Sequence, residues 1–463
     1  MLFRSPQRAG GERRHRLLRR LAPWLAIFVL GPLLLLIAAT LALRMSLPTL
    51  SGRVAVAGME QGEASIERDF QGHVTVRARS RTDAARALGF AHAQDRFFQM
   101  DLLRRAGSGR LSALVGSSMV EQDRKARRFR GDALAVDALD MLGPEDRAIL
   151  VAYTDGVNAA LAQMSVPPPE YLVLRVAPEP WRPADSLLLN LTFSFMLQDS
   201  EARADLERTL LRKAVGPVAY RFFHPRGTHL DAALDGHVEP EPPMPSAAEF
   251  TAPPPPRSVE ARGEGAWNAE NEAIAEDPPV PGSNAWAMAG SLTRSGSALV
   301  ADDMHLGISA PGVWYRAVIR WQDADGRDRM LAGVTVPGAP TVITGSNGDV
   351  AWGFTNSMLD TSDLVELRLD PGRPGHYLAP EGWLPFVIHD EPIAVAHAKT
   401  IPNHVTNTVW GPVLGSSPSG AVHAVAWAMA RPAALAAHST ALDRKSTRLN
   451  SSHEWISRMP SSA

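Results

Sequence analysis

The residues best equipped for chemistry stand together at Gly282-Ser283-Asn284-Ala285-Trp286, where a proline-rich acidic stretch meets an apolar strand pattern. A Gly–Ser peptide bond carries little bulk, so the Ser283 hydroxyl can approach the Gly282 carbonyl. Were that bond cut, Ser283 would hold a hydroxyl nucleophile and a free α-amine on one residue. An α-amine with a pKa of about 7.7–8.0 can act as a base near neutral pH. One residue would then supply nucleophile and base, as N-terminal threonine does elsewhere. Gly-Ser-Asn is also a common turn, and alone it points no further. No P-loop, GxGxxG, GxSxG or HExxH motif competes with it, and the 14 His show no paired-ligand spacing. His92, inside a helical pattern, reads as structural.

The elements around this junction change character along the chain. Val54–Val56 and Ile66–Ala78 read as short strands, the latter turning at Gly72. Thr82 to Leu103 carries a helical apolar period through Phe90, Phe97, Met100 and Leu103, and Gly107-Ser108-Gly109 ends it. Glu145–Met164 is helical again, and Asp185 is placed to cap an apolar helix over Ser186–Leu197. Residues 240–282 then hold 11 of the chain's 37 Pro and an acidic run from Glu260 to Asp277. Such a segment buries too little apolar surface to offset its ordering entropy. After Ser283 the pattern turns to β: Ala285–Ala289, Ala298–Ala301, Ala317–Trp321, Arg329–Val336, Val350–Phe354, Ser362–Leu369 and His423–Ala428. No internal repeat is visible.

Composition excludes several classes. In 463 residues, 47 Lys+Arg stand against 49 Asp+Glu, a net charge of −2 that offers no global attraction to nucleic acid. With no Cys there is no disulfide framework, thiolate metal site or cysteine nucleophile. The N-terminus is distinctive. Residues 1–20 carry seven Arg against Glu12, and Leu21–Leu43 follows without a charge. At about 1.5 Å per residue that run spans roughly 35 Å as a helix, enough for a bilayer. The arginines place its start in the cytoplasm and everything beyond Arg44 outside. The run is long for a cleaved signal peptide, and the expectation is an uncleaved inner-membrane anchor with the rest periplasmic. Arg444–Ala463, with six Ser and no periodicity, reads as a tail foreign to the rest.

Gly89-Phe90-Ala91-His92-Ala93-Gln94-Asp95-Arg96 running to Arg105, then Pro168-Pro169-Glu170-Tyr171 and Pro180-Trp181-Arg182-Pro183-Ala184-Asp185, resemble the first subunit of the penicillin acylase family of N-terminal nucleophile hydrolases. Ser283-Asn284-Ala285-Trp286 resembles the start of its second subunit. Asp302-Asp303-Met304-His305-Leu306 and Gly345 to Asn356 (with Trp352-Gly353-Phe354-Thr355) match the next blocks in order. The resemblance covers residues 46 to about 443.

That resemblance implies an α+β fold, an αββα sandwich of two antiparallel sheets between helical layers. Residues 45–240 would be the helical first subunit, 241–282 an excised spacer and 283–443 the start of the catalytic subunit, both subunits coming from one precursor. It implies cleavage between Gly282 and Ser283, with Ser283 the nucleophile and His305 orienting it. The backbone N–H of Asn356 would supply half of an oxyanion hole. Asp360 and Asp363 match calcium ligands, and Asp205 stands as a third where a Glu is usual; oxygen donors of this kind suit Ca²⁺. No organic cofactor is implied. The acyl pocket would draw on Phe193, Phe195 and Met196, positions equally suited to a buried core. The expected partners are small amide substrates, penicillin-type or N-acyl-homoserine-lactone. The family's second subunit continues further, so the expectation is a C-terminally truncated and inactive fragment. The rival from another class is a membrane-anchored binding or scaffold protein that keeps the fold without processing.

Overall fold

The structure, a computed structural model, describes residues 26–437 apart from 60–61, 226, 228–234, 250–282, 324, 357–358 and 417–419. Gly282, most of the proposed spacer, the N-terminal arginine cluster and the serine-rich tail therefore lie outside the described residues.

Helix α1 (Gly31–Met45) continues a short π-helical turn, and no residue of it is buried. The strands β1 (Ser65–Arg68) and β2 (Val74–Arg77) form a hairpin, whereas Val54–Val56, read as a strand, has no pairing partner and remains irregular. Helix α2 (Arg81–Ser108) is the spine of the molecule. Ser80 caps it by accepting from Asp83 N at 3.0 Å, and Gly109 ends it with φ +67°. A non-helical residue, Arg96, kinks it midway. Further helices follow: α3 (Val120–Arg127), α4 (Gly131–Asp140), α5 (Pro144–Gln163), α6 (Pro183–Leu197) and α7 (Arg203–Val215). The start of α6 corrects the sequence reading. Asp185 lies inside the first turn, where its carboxylate accepts Arg182 N at 2.9 Å. Helices α2 and α5 cross so closely that a Cβ on Gly89 would stand 2.2 Å from Tyr153 O, and one on Gly156 1.9 Å from Arg86 O. Only glycine admits that approach.

The second half supplies β3 (Asn284–Met288), β4 (Leu299–Asp303), β5 (Tyr315–Gln322), β6 (Asp328–Thr335), β7 (Val342–Ser346) and β8 (Ala351–Trp352). After them come β9 (Ser362–Glu366), β10 (His376–Ala379), β11 (Gly382–Pro385), β12 (Val387–Asp390), β13 (His404–Asn407), β14 (Val413–Ser416) and β15 (Val422–Trp427). The main sheet runs β1-β2-β5-β6-β7-β8. Its two halves of the chain meet at β2 and β5, which pair in parallel (Val74↔Ala317 to Arg77↔Arg320), so this sheet is mixed rather than purely antiparallel. Strand β5 alternates Tyr315, Ala317, Ile319 and Trp321 inward, as one buried face requires. These residues join Leu88, Phe90, Phe97, Met100 and Tyr153 in the principal core. A second core gathers Phe129, Leu187, Leu188 and Leu191 with Trp427 of the sheet β14-β15-β9. Helix and sheet are thus mixed, with the α2–α5 layer packed on the main sheet.

Candidate active site

Ser283 is the last residue before β3, half-buried, and its Oγ donates to Met304 O at 3.5 Å. The position follows from the β3–β4 ladder, in which Asn284 pairs with Asp303 and Ala285 with Asp302. Side chains alternate across a ladder, so Ser283, Ala285, Asp302 and Met304 share one face. That face turns toward β7 and β8, since Thr344 Oγ1 lies 2.7 Å from Asp302 Oδ2 and 3.9 Å from Met304 Sδ. A cleft of about 320 Å³ opens beside it, lined by Ala285, Trp286, Ala287, Val300, Ala351, Trp352 and Gly353.

His305 follows β4 with a positive φ of 42°, a conformation uncommon outside glycine. Its Nε2 lies 2.8 Å from Asp303 Oδ2, so the partner the structure gives it is Asp303. Asn356 closes the segment after β8. Its side-chain Nδ2 donates to Leu197 O at 3.0 Å, docking the segment on the end of α6.

Asp205, on α7, stands close enough to Asp360 and Asp363 to feel both charges. Burial first, then these two neighbours, push its carboxyl above the usual range, against Leu364 N and Arg208. The corner carries a charge that a divalent cation would relieve. Among the described residues, however, no three His, Asp or Glu side chains converge into a metal cage.

The three apolar residues assigned to the acyl pocket lie elsewhere than the cleft at β3, β4 and β8. Phe195 stacks on Trp427 at 5.1 Å and meets Phe129 at 5.5 Å, inside the second core. Phe193 packs against the principal core, and Met196 is exposed. Sequence reasoning missed Asp302, which accepts from Thr344 Oγ1 and from Phe354 N at 3.1 Å. Its signal is positional: an acid on the inward register of a strand, which emerges only when the pairing is known.

The site is thus a serine at the head of a β-strand, on a ladder face whose Asp302 bonds β7 and the segment after β8. The chain belongs to the penicillin amidase family, whose model matches residues 63–455. It is 30% identical over 383 residues to penicillin acylase 2 proenzyme of Pseudomonas sp. (strain SE83), covering 81% of this chain and 46% of that protein. It is 32% identical over 385 residues to acyl-homoserine lactone acylase QuiP of Pseudomonas aeruginosa, covering 80% and 42%. With penicillin G acylase of Escherichia coli it shares 25% identity over 405 residues, covering 78% and 46%. The chain therefore spans about half the length of the curated relatives it matches. Among solved structures, a thermostable penicillin G acylase chain from Alcaligenes faecalis (tetragonal form) aligns over 39% of this chain and 98% of its own, with 28% identity and a TM-score of 0.33.

Proposed function

We propose that this chain carries the processing and nucleophile machinery of an acylase that hydrolyses linear amides. The observation that carries the reading is Ser283: in a member of the penicillin amidase family, it heads β3 with its hydroxyl on the Met304 carbonyl, just past β4. In maturation the Ser283 hydroxyl attacks the Gly282 carbonyl carbon, and the C–N bond breaks as the nitrogen takes the proton. Water then cleaves the resulting ester, leaving a carboxylate on Gly282 and a free amine on Ser283.

In turnover the same hydroxyl attacks the substrate amide carbon while the α-amine, through a water, takes its proton. The Asn356 N–H offers one donor to the developing oxyanion. The proton passes to the departing amine, and water releases the acid from the acyl ester. His305, held by Asp303, is proposed to orient the nucleophile. Substrates are proposed to be penicillin-type or N-acyl-homoserine-lactone amides. The mixed sheet and its helices are proposed as part of an αββα sandwich. In it, residues 45–240 form the first subunit, 241–282 the spacer and 283–443 the catalytic part, and Leu21–Leu43 anchors the protein to the inner membrane. The acidic corner of Asp205, Asp360 and Asp363 is proposed to take Ca²⁺ in a structural role, with no catalytic step assigned to it.

Intact-mass analysis of the purified natural-length protein tests the reading. A fragment beginning at Ser283 is expected. Recovery of the uncut chain alone, without amide hydrolysis, would instead favour a membrane-anchored binding protein.

A further inference from the structure

We infer that Asp302 is the positioning residue that aims the backbone of residues 353–356 at Ser283. The inference rests on the acylase reading above. Both hydrogen bonds to Asp302 arrive at one oxygen: Oδ2 takes Thr344 Oγ1 at 2.7 Å from β7 and Phe354 N at 3.1 Å from the segment after β8. The other oxygen, Oδ1, is buried and has no hydrogen-bond partner among the described residues. Burying a carboxylate with one oxygen unsatisfied is unfavourable, so the site keeps this side chain for what Oδ2 does.

What Oδ2 does is geometric. Asp302 lies on the face of the β3–β4 ladder that Ser283 shares, two residue pairs along. Among the described residues, the two strands β3 and β4 pair only with each other, apart from the main sheet. The Asp302 bonds thus hold the nucleophile-bearing ladder to the strands β7 and β8. Phe354 N is also two residues from Asn356 N, the proposed oxyanion donor, and an amide held by a carboxylate orients the peptide planes that follow. Gly353 is shaped for this contact: a Cβ there would stand 2.8 Å from Asp302 Cβ and 2.9 Å from Cγ. Neither atom is the free end of a flexible chain, so a larger residue must displace the carboxylate. Asp302 touches no reacting atom. It acts through Phe354.

The experiment compares Asp302→Ala, Asp302→Asn and Gly353→Ala in the natural-length protein, with benzylpenicillin and an N-acyl-homoserine lactone as substrates. Thermal unfolding verifies the fold, and amide hydrogen exchange follows the peptide 351–356. Asp302→Ala and Gly353→Ala are expected to speed exchange at Phe354 and lower kcat about 10²–10³-fold, the range for a displaced oxyanion donor, with KM within about threefold. Asp302→Asn should restore most of kcat, because a single amide oxygen can accept both bonds. Full kcat in Asp302→Ala and Gly353→Ala would overturn the inference. So would an Asn variant as impaired as the Ala variant, since charge rather than the tether would then be at work. If the unaltered chain neither cuts before Ser283 nor hydrolyses either amide, the acylase reading falls with it. Activity in the unaltered chain with unimpaired Asp302→Ala removes this inference alone.

Discussion

The Nε2 of His92 lies 2.9 Å from the Thr335 hydroxyl, joining α2 of the first half to β6 of the second. The neighbouring bonds fix which nitrogen carries the proton. Thr335 Oγ1 donates to Tyr315 O at 3.0 Å, so toward His92 it accepts, and Nε2 is the protonated nitrogen. Nδ1 then accepts from Tyr153 OH at 2.8 Å, whose oxygen in turn accepts Gly338 N at 2.8 Å. Each donor in this chain has one acceptor. His92 is a neutral crosspiece between the two halves that cleavage before Ser283 would separate, and it has no free proton to give a substrate.

Acid should remove that crosspiece. Burial, with the nearby Arg96 charge adding, lowers the His92 pKa from 6.5 to about 3. The unfolded chain therefore binds this proton below about pH 6.5 while the folded chain does not. Stability from the neutral ring is fully present above pH 6.5 and is lost as pH falls toward 3, with a slope of up to about 1.4 kcal/mol per unit. Urea midpoints of the protein and of His92→Asn, measured from pH 7.5 to 4, should converge as pH falls. Parallel curves would show that His92 titrates normally.

The buried ion pair at the head of α6 predicts a larger effect. Arg104 Nη1 lies 2.7 Å from Asp185 Oδ2 and Arg104 Nε 2.8 Å from Asp101 Oδ1, with all three residues 0–1% exposed. Arg104 also donates to Glu179 O and Pro180 O. Breaking a buried pair costs about 3–5 kcal/mol, and because Asp101 still faces Arg104 when Asp185 is removed, the loss for Asp185→Ala should fall at the lower end of that range. Asp185→Ala also frees Arg182 N at the helix start. A denaturation midpoint for Asp185→Ala equal to that of the parent would contradict the burial of this pair.

How much of this was legible depends on what each residue needs from its surroundings. Strand β5 was legible because its alternation is strict, and α2 because its apolar period is long. The hairpins β10–β11 and β12–β13 were not read, being four-residue strands with half-exposed patterns that give little periodic signal. Asp185 was recognised as a helix-start residue but placed outside the helix, since Pro183 opens the first turn earlier. Ser283 was singled out through ordered family blocks, the Gly-Ser-Asn triplet itself being ordinary. Asp302 escaped because its role depends on register. The parallel β2–β5 pair escaped for the same reason, since it joins segments more than two hundred residues apart.

The nucleophile assignment predicts linked losses. Ser283→Ala removes the hydroxyl that both maturation and turnover require, so cleavage and amide hydrolysis should vanish together. Ser283→Cys retains a nucleophile and should still cut its own chain, with weakened turnover. Mass spectrometry of both variants, beside an assay on benzylpenicillin, reads the two steps separately. Normal cleavage in Ser283→Ala would sink the assignment.

The last prediction concerns the N-terminal helix. Among the described residues, Phe28–Met45 is the one helical run long and apolar enough to cross a bilayer, and none of it is buried. Eighteen residues at about 1.5 Å each give roughly 27 Å, close to the hydrocarbon thickness of about 30 Å. Leaving Leu33, Leu34, Leu35, Leu36 and Ile37 in water forgoes about 1.5–3 kcal/mol for each fully buried side chain. The seven arginines before Leu21 favour the cytoplasmic side. In a bacterium expressing the chain, washed membranes should retain it after high salt and alkaline carbonate. Protease added to spheroplasts should digest the part beyond Arg44. Recovery in the soluble periplasmic fraction would mean the helix is removed on export, and protection from protease would reverse the orientation.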